Sequence, residues 1–240
     1  MAEFKETRWA EKDYVEQYIE DSNNIILERQ RLLKILTSFY RHFGKGKKGC
    51  TVLDLGCGNG ALVAELLKED PTLLATLVDG SDNMIQMARE RFKEHENFIY
   101  LGLSFQELMR SNIELPQSDF IVSSLAIHHL VADEKVELFK YIHSHLKPGG
   151  AFINIDGVSS PNDNIESWYQ KLWKEWVLEK PDGASYEKRI EEMLEKHKAE
   201  EHHETLDPLK DQLNALREIG FKGVDCFYKY GIFAVFGGIK

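Results

Sequence analysis

Between Thr51 and Ile155 the chain alternates short apolar runs with amphipathic stretches. The runs Thr51 to Leu55, Leu73 to Val78, Phe98 to Leu101, Phe120 to Ser124 and Ala151 to Ile155 read as strands. Between them, Ala61 to Lys68, a segment opened by Ser81 as N-cap, and Asp133 to Leu146 read as helices. Strands alternating with helices predict a parallel sheet covered on both faces. Upstream, Ile25, Ile26, Leu32, Leu33, Leu36, Phe39, Tyr40 and Phe43 recur at helical spacing, which predicts an amphipathic helix over 25–43 ended by Gly44 and Gly46. Before it, Trp9, Tyr14 and Tyr18 mark a less regular helical stretch, a candidate lid. After Gly157 the alternation stops, and two long helical patterns, Ile165 to Glu179 and Tyr186 to His202, form an insertion or cap. Asp207 and Pro208 read as N-cap and first residue of a last helix that presents Leu209, Leu213 and Leu216 and closes at Gly220. Val224 to Tyr228 and Ile232 to Phe236 are joined by a turn too short for a crossover helix, so they pair antiparallel. The expected organisation is one α/β domain over 1–240, with a helical lid (1–46), a core (47–157), a helical insertion (158–204) and a terminal helix and hairpin (205–240).

Composition narrows the function classes. A hydrophobic fraction of 42% over 240 residues supports a packed core. The apolar runs fall short of the ~18 residues that span a bilayer, and Met1 to Trp9 has acids and no apolar signal core, so a cytoplasmic protein without membrane contact is expected. A net charge of −10 repels phosphate backbones, and Lys45, Lys47 and Lys48 form the one basic knot, which disfavours bulk nucleic acid as a partner. Cys50, Cys57 and Cys226 are odd in number and lack C-x-x-C spacing, the usage of reduced, packed thiols. His197, His202 and His203 stand beside acids without H-E-x-x-H spacing, so no metal site is expected.

The strongest chemical signal is VLDLGCGNG (52–60), an apolar strand running into three alternate glycines and then a helix. Missing Cβ atoms let the turn bend sharply and let a ligand lie on bare backbone. Twenty-three residues past Gly56, Asp79 ends the second strand, where a carboxylate can accept hydrogen bonds from both hydroxyls of a ribose. Glycine loop and strand-end acid together indicate a nucleoside-bearing ligand. A dinucleotide requires G-x-G-x-x-G, and here the spacing is G-x-G-x-G, which leaves open a ligand without phosphate.

With LVDGSDNMIQMAR (77–89), DFIVSSLAIHHL (119–130), LKPGG (146–150) and GFKGVDCFYKYGIFAVFGG (220–238), this loop resembles the class I S-adenosylmethionine-dependent methyltransferases of the small-molecule type, over residues 25–157 and 205–240. The resemblance implies a Rossmann-like seven-stranded sheet with only the last strand antiparallel, S-adenosylmethionine as cofactor and S-adenosylhomocysteine as product. It implies that Gly56, Gly58 and Gly60 lie along the methionyl part, that Asp54 is among the cofactor-binding residues, that Asp79 holds the ribose, and that Gly80 and Met84 flank the adenine. Ser104 and Phe105 follow the third strand, where many relatives carry an acid and an apolar residue; serine stands here in place of the acid. Leu125, with Ala126, would floor the site near the sulfonium.

Arg29 lies on the apolar stripe of its helix, and an inward guanidinium needs an anion. The resemblance offers the cofactor's methionyl carboxylate, which relatives hold with an arginine from such a helix; the other readings are a salt bridge to an internal acid or an arginine that snorkels to solvent. His128 and His129 follow the fourth strand; either suits a general base or a packing role, and His129 is the preferred catalytic candidate. Trp168, Tyr169, Leu172, Trp173, Trp176 and Val177 read either as an aromatic cage for the acceptor or as a helix packed on the core. The acceptor pocket is expected to draw on Tyr14, Tyr18, His128, Trp168, Trp173 and Tyr230 or its neighbour Tyr228. SSLAIHHL stands where base-amino methyltransferases carry an Asn/Asp-Pro-Pro-aromatic string, so the expected partner is a small-molecule acceptor. Two other functions fit: a tRNA-wobble-uridine modification enzyme of the carboxy-S-adenosylmethionine synthase type, which needs a further cation in the pocket, and a non-catalytic cofactor-binding scaffold. An NAD-dependent dehydrogenase fits less well, given the glycine spacing and the terminal hairpin.

Overall fold

The computed structural model describes residue 4 and residues 7–44, 47–111, 113–198 and 206–240. Lys45, Gly46, His202 and His203 lie outside the described residues, as do the side chain of His197 and the end of the helix expected to reach His202.

Strands β1 (Thr51–Leu55), β2 (Leu74–Asp79), β3 (Ile99–Gly102), β4 (Ser118–Ser124), β5 (Leu146–Gly157), β6 (Lys222–Tyr230) and β7 (Phe233–Ile239) form one sheet in the order β3-β2-β1-β4-β5-β7-β6. All neighbours up to β5 pair in parallel, and β7 runs antiparallel to both β5 and β6. This is the Rossmann-like sheet with an antiparallel last strand that the motifs imply. The central strands are near-continuous apolar runs because helices cover both of their faces.

Around the sheet lie α1 (Lys12–Ile25), α2 (Arg29–Phe43), α3 (Ala61–Glu69), α4 (Asp82–Arg91), α5 (Phe105–Arg110), α6 (Ala132–His145), α7 (Asp163–Leu178), α8 (Glu187–Lys198) and α9 (Leu209–Ile219). On one face Leu32 and Leu36 of α2, Val63 and Leu66 of α3 and Ala88 of α4 are buried, joined by Trp173 and Val177 of α7 and Ile190 of α8. On the other face Leu138, Phe139 and Ile142 of α6 pack with Leu216 of α9.

Two local readings change. The helix expected over 25–43 begins at Arg29: Ile25, Ile26 and Leu27 are all buried, which one continuous helix would spread around its circumference, and the chain breaks through Glu28 at φ +50°. The last helix has Pro208 at its N-cap, one residue later than expected, because the Asp207 carboxylate is engaged by the buried Lys135 ammonium at 2.6 Å. Ser81 caps α4 as expected, its hydroxyl accepting from Met84 N–H at 3.4 Å. No helix among the described residues is long and apolar enough to cross a membrane, and none of their His, Cys, Asp and Glu side chains cluster as a metal site.

Candidate active site

The strand order reverses between β1 and β4, and such switch points leave a crevice outside the strands' carboxyl ends. A cavity of about 790 Å³ occupies it. Its floor is the glycine loop: Gly56 at φ +68° and Gly58 at φ +53° hold the left-handed turn that carries β1 into α3. A Cβ on Gly56 would lie 2.2 Å from the Ala126 Cβ, so the loop and the turn after β4 are in contact there. That turn passes through Leu125 at φ +51°, a left-handed leucine whose N–H donates to Ile155 O at 2.8 Å. Such strain costs about 1–2 kcal/mol and collects at functional sites.

Asp79 lines the cavity from the end of β2. One oxygen accepts from Gly58 N–H and the other from Ser81 N–H, both at 2.8 Å. Each retains a further lone pair, enough to receive two hydroxyls. Burial raises its pKa, and the two backbone donors partly offset that. Asp54 is expected beside the ligand, but the structure sets it beneath the loop, wholly buried and off the cavity wall, with neither oxygen hydrogen-bonded among the described residues. Burial, reinforced by the charge of Asp79, drives its pKa well above the usual carboxylate range. Gly60 also leaves the lining: a Cβ on it would meet the Phe92 ring at 2.4 Å, and its role is to let α3 approach α4.

Gly80 and Met84 line the neighbouring wall, and a Cβ on Gly80 would lie 2.6 Å from the Phe4 ring. Phe105 lines it too. Ser104 reaches the cavity, but its polar atoms serve α5: its hydroxyl accepts from Glu107 N–H at 3.2 Å while the Glu107 carboxylate accepts from Ser104 N–H at 2.8 Å, a capping box.

The opposite wall comes from the N-terminal helices. Trp9 packs edge-on against Tyr14 at 5.2 Å, Tyr18 at 4.9 Å and His129 at 5.4 Å, closing the aromatic side. Burial pushes the Tyr18 phenol up to about 12, opposed by the Arg29 guanidinium, so at neutral pH it is a hydrogen-bond donor. Arg29 lines the cavity, donates to Asn23 Oδ1 at 2.8 Å, and is paired with no carboxylate among the described residues. Among the described residues, no internal acid holds it. Arg8 and Arg91 line the cavity as well. Neither belongs to a motif or an apolar stripe, so no local pattern singles them out.

Of the two histidines, His129 lines the cavity and His128 does not. Burial first, then the charges of His128 and Lys135, hold His129 well below the ordinary imidazole range, which keeps its ring neutral. His128 turns away: its Nδ1 donates to Asp156 Oδ1 at 2.5 Å. Asp156 is buried and also accepts from Gly157 N–H at 2.9 Å and Asn154 Nδ2 at 3.2 Å.

The aromatic cage is not formed. Trp168 is 55% exposed and off the cavity, Trp173 is 8% exposed within the core, and Trp176 rests on Tyr230 at 3.6 Å on the outer surface. Tyr228 and Tyr230 are likewise absent from the lining. The spacing that suggested a cage is that of a helix packed on the sheet.

A family model described as a methyltransferase domain matches residues 52–150. The malonyl-[acyl-carrier protein] O-methyltransferase of Halalkalibacterium halodurans is 29% identical over 102 residues, which is 42% of this chain and 37% of that enzyme. A carboxy-S-adenosyl-L-methionine synthase from Staphylococcus epidermidis is 22% identical over 229 residues, covering 93% of this chain and 91% of that protein. Among solved structures, human N-acetylserotonin methyltransferase in complex with S-adenosylmethionine superimposes with a TM-score of 0.65 at 17% identity, over 97% of this chain and 57% of that one. The chain thus spans little more than half of that structure and matches about a third of the first relative.

Proposed function

Because the chain belongs to the class I S-adenosylmethionine-dependent methyltransferases, we propose that it transfers a methyl group to a small-molecule acceptor by in-line displacement, releasing S-adenosylhomocysteine. The observation that carries this reading is one cavity lined together by the Asp79 carboxylate, by Arg29, unpaired with any described carboxylate, and by Gly56 and Gly58 of the glycine loop. An acid for a ribose diol, a cation for a methionyl carboxylate and a glycine floor suit S-adenosylmethionine. Bound there, the cofactor supplies a methyl group on a sulfonium, already a good leaving group. The protein's work is then to orient, enclose and deprotonate. Asp79 accepts from the diol, Met84 and Phe105 flank the base, and Leu125 and Ala126 form the floor beneath the reacting centre. Trp9, Tyr14 and Tyr18 exclude water, which strengthens every electrostatic contact inside. His129, neutral by burial, accepts a proton from an acidic acceptor where one must be removed. The free thiols of Cys50, Cys57 and Cys226 suit a reducing cytoplasm.

A second reading, synthesis of carboxy-S-adenosylmethionine, is favoured by the end-to-end match to such a synthase and by Arg8 and Arg91, which put cations beyond Arg29 on the cavity wall. Native mass spectrometry of the purified protein, followed by an acceptor screen that reads S-adenosylhomocysteine release, tests both. Bound S-adenosylmethionine with acceptor-dependent turnover supports methyl transfer, and a carboxylated adduct supports the second reading. Failure to bind S-adenosylmethionine or S-adenosylhomocysteine overturns both.

A further inference from the structure

The last turn of a helix leaves carbonyls without intrahelical partners, and the way α1 resolves this links the insertion to the cavity. Ser22 O accepts from Ile26 N–H at 3.1 Å. The other three carbonyls are taken by the insertion: Asn23 O and Asn24 O accept from Lys180 Nζ at 3.0 and 2.7 Å, and Ile25 O accepts from the buried Trp173 Nε1 at 2.8 Å. An ammonium at a helix C-terminus also opposes the negative end of the helix dipole. Two side-chain contacts reinforce the junction: Asn24 Nδ2 donates to Tyr186 Oη at 2.6 Å, and Arg189 forms an ion pair with Asp21 at 2.7 Å. Asn23 is the hinge of the arrangement. Its carbonyl is held by Lys180, and its side-chain oxygen receives Arg29 Nη1.

We propose that Lys180 and Trp173 are positioning residues for the cofactor site: by capping the end of α1 from the insertion they fix Asn23, and through it the direction in which Arg29 presents its guanidinium to the methionyl carboxylate. This rests on the S-adenosylmethionine reading of the cavity. It gives the insertion a role that its exposed tryptophans do not suggest, since Trp173 acts through its N–H on a backbone carbonyl, away from any acceptor.

The test compares two ligands by calorimetric titration. S-adenosylhomocysteine carries the methionyl carboxylate, and 5′-deoxy-5′-methylthioadenosine has the same nucleoside and thioether without it. Lys180→Met is expected to weaken S-adenosylhomocysteine about tenfold, the scale of one hydrogen bond to a charged group, and to leave methylthioadenosine within about twofold. Trp173→Phe, which keeps a ring and removes the donor, is expected to show the same selectivity. Lys180→Arg should restore binding, and in an Arg29→Met background Lys180→Met should cost nothing further. A general loosening of the fold would weaken both ligands alike; that result, or unchanged affinity for both, overturns the proposal. So does a wild-type protein that binds both ligands equally, because Arg29 then holds no carboxylate. Wild-type protein that binds neither ligand removes the cofactor reading itself.

Discussion

Replacing Asp79, the acid proposed to hold the ribose, by asparagine isolates its charge while keeping its shape. In the wild type each oxygen accepts one backbone N–H, from Gly58 and from Ser81, and keeps a lone pair for the cavity. The amide retains one oxygen and turns the other into a donor, so one of those two N–H groups faces an NH₂ and one ribose hydroxyl loses its acceptor. A hydrogen bond to a charged group contributes about 1.5–3 kcal/mol. Losing the cavity-side bond alone therefore raises the Kd for S-adenosylhomocysteine by roughly 10- to 150-fold. Stability should change less, because removing a buried charge offsets part of the lost backbone bonding. The pH dependence supplies an independent check. Burial raises the Asp79 pKa, and the proposed ribose contact uses its ionised form, so wild-type affinity is expected to fall as pH drops through that raised value. The Asp79→Asn profile should be flat there. Calorimetric titration across pH, with thermal melting to confirm folding, reads both effects. A folded variant with Kd within about twofold of wild type, or with the wild-type acid limb, refutes the assignment of Asp79 to the ribose.

Three further outcomes follow from the geometry. Gly56→Ala places a Cβ 2.2 Å from that of Ala126 at φ +68° and should cost about 2–4 kcal/mol in urea unfolding, partly recovered by adding Ala126→Gly. His129 has its pKa depressed by burial, so below its unfolded value near 6.5 the unfolded chain binds a proton the native state does not. Stability should then fall on acidification by up to about 1.4 kcal/mol per pH unit, and His129→Phe should flatten that limb in denaturant melts taken across pH. Trp168→Ala, at a 55% exposed position off the cavity, should leave stability within about 0.5 kcal/mol and S-adenosylhomocysteine affinity unchanged in titration; a large loss would restore a binding role to the outer tryptophans.

What was legible in the chain is what rests on local physics. The glycine loop needs positive φ at Gly56 and Gly58 wherever it sits, and a strand-end acid like Asp79 is placed by the strand itself. The mostly parallel sheet and its antiparallel end followed because strands alternating with helices pair in parallel and the closing hairpin allows only antiparallel pairing; the strand order itself comes from the structure. Asp54 shows the limit. Within VLDLGCGNG it reads as equivalent to its neighbours, yet it belongs to a strand buried on both faces and lies off the cavity lining, where burial raises its pKa. Gly60 was likewise a motif glycine whose reason is the Phe92 ring thirty-two residues away. His128 and His129 are adjacent in sequence and opposite in role because the turn after β4 sends one to Asp156 and the other to the cavity.

The insertion was the least legible because a helical stripe has the same period whatever it packs against. Trp168, Trp173 and Trp176 differ in what lies opposite them, and those partners come from distant parts of the chain: solvent, the Ile25 carbonyl and Tyr230. Only the second of these bears on the cavity, and it does so through the end of α1. On the proposed reading, methionyl recognition depends on two segments that meet only in the folded protein, the α1–α2 junction that carries Arg29 and the insertion that caps it. The same reading assigns acceptor recognition to a third, the Trp9–Tyr14–Tyr18 wall against His129. Changing residues on that wall can alter the acceptor without disturbing Asp79 or the glycine loop. Changing the exposed Trp168 on the insertion's outer face is expected to alter neither, because the insertion's contacts with α1 run inward through Trp173, Lys180, Tyr186 and Arg189.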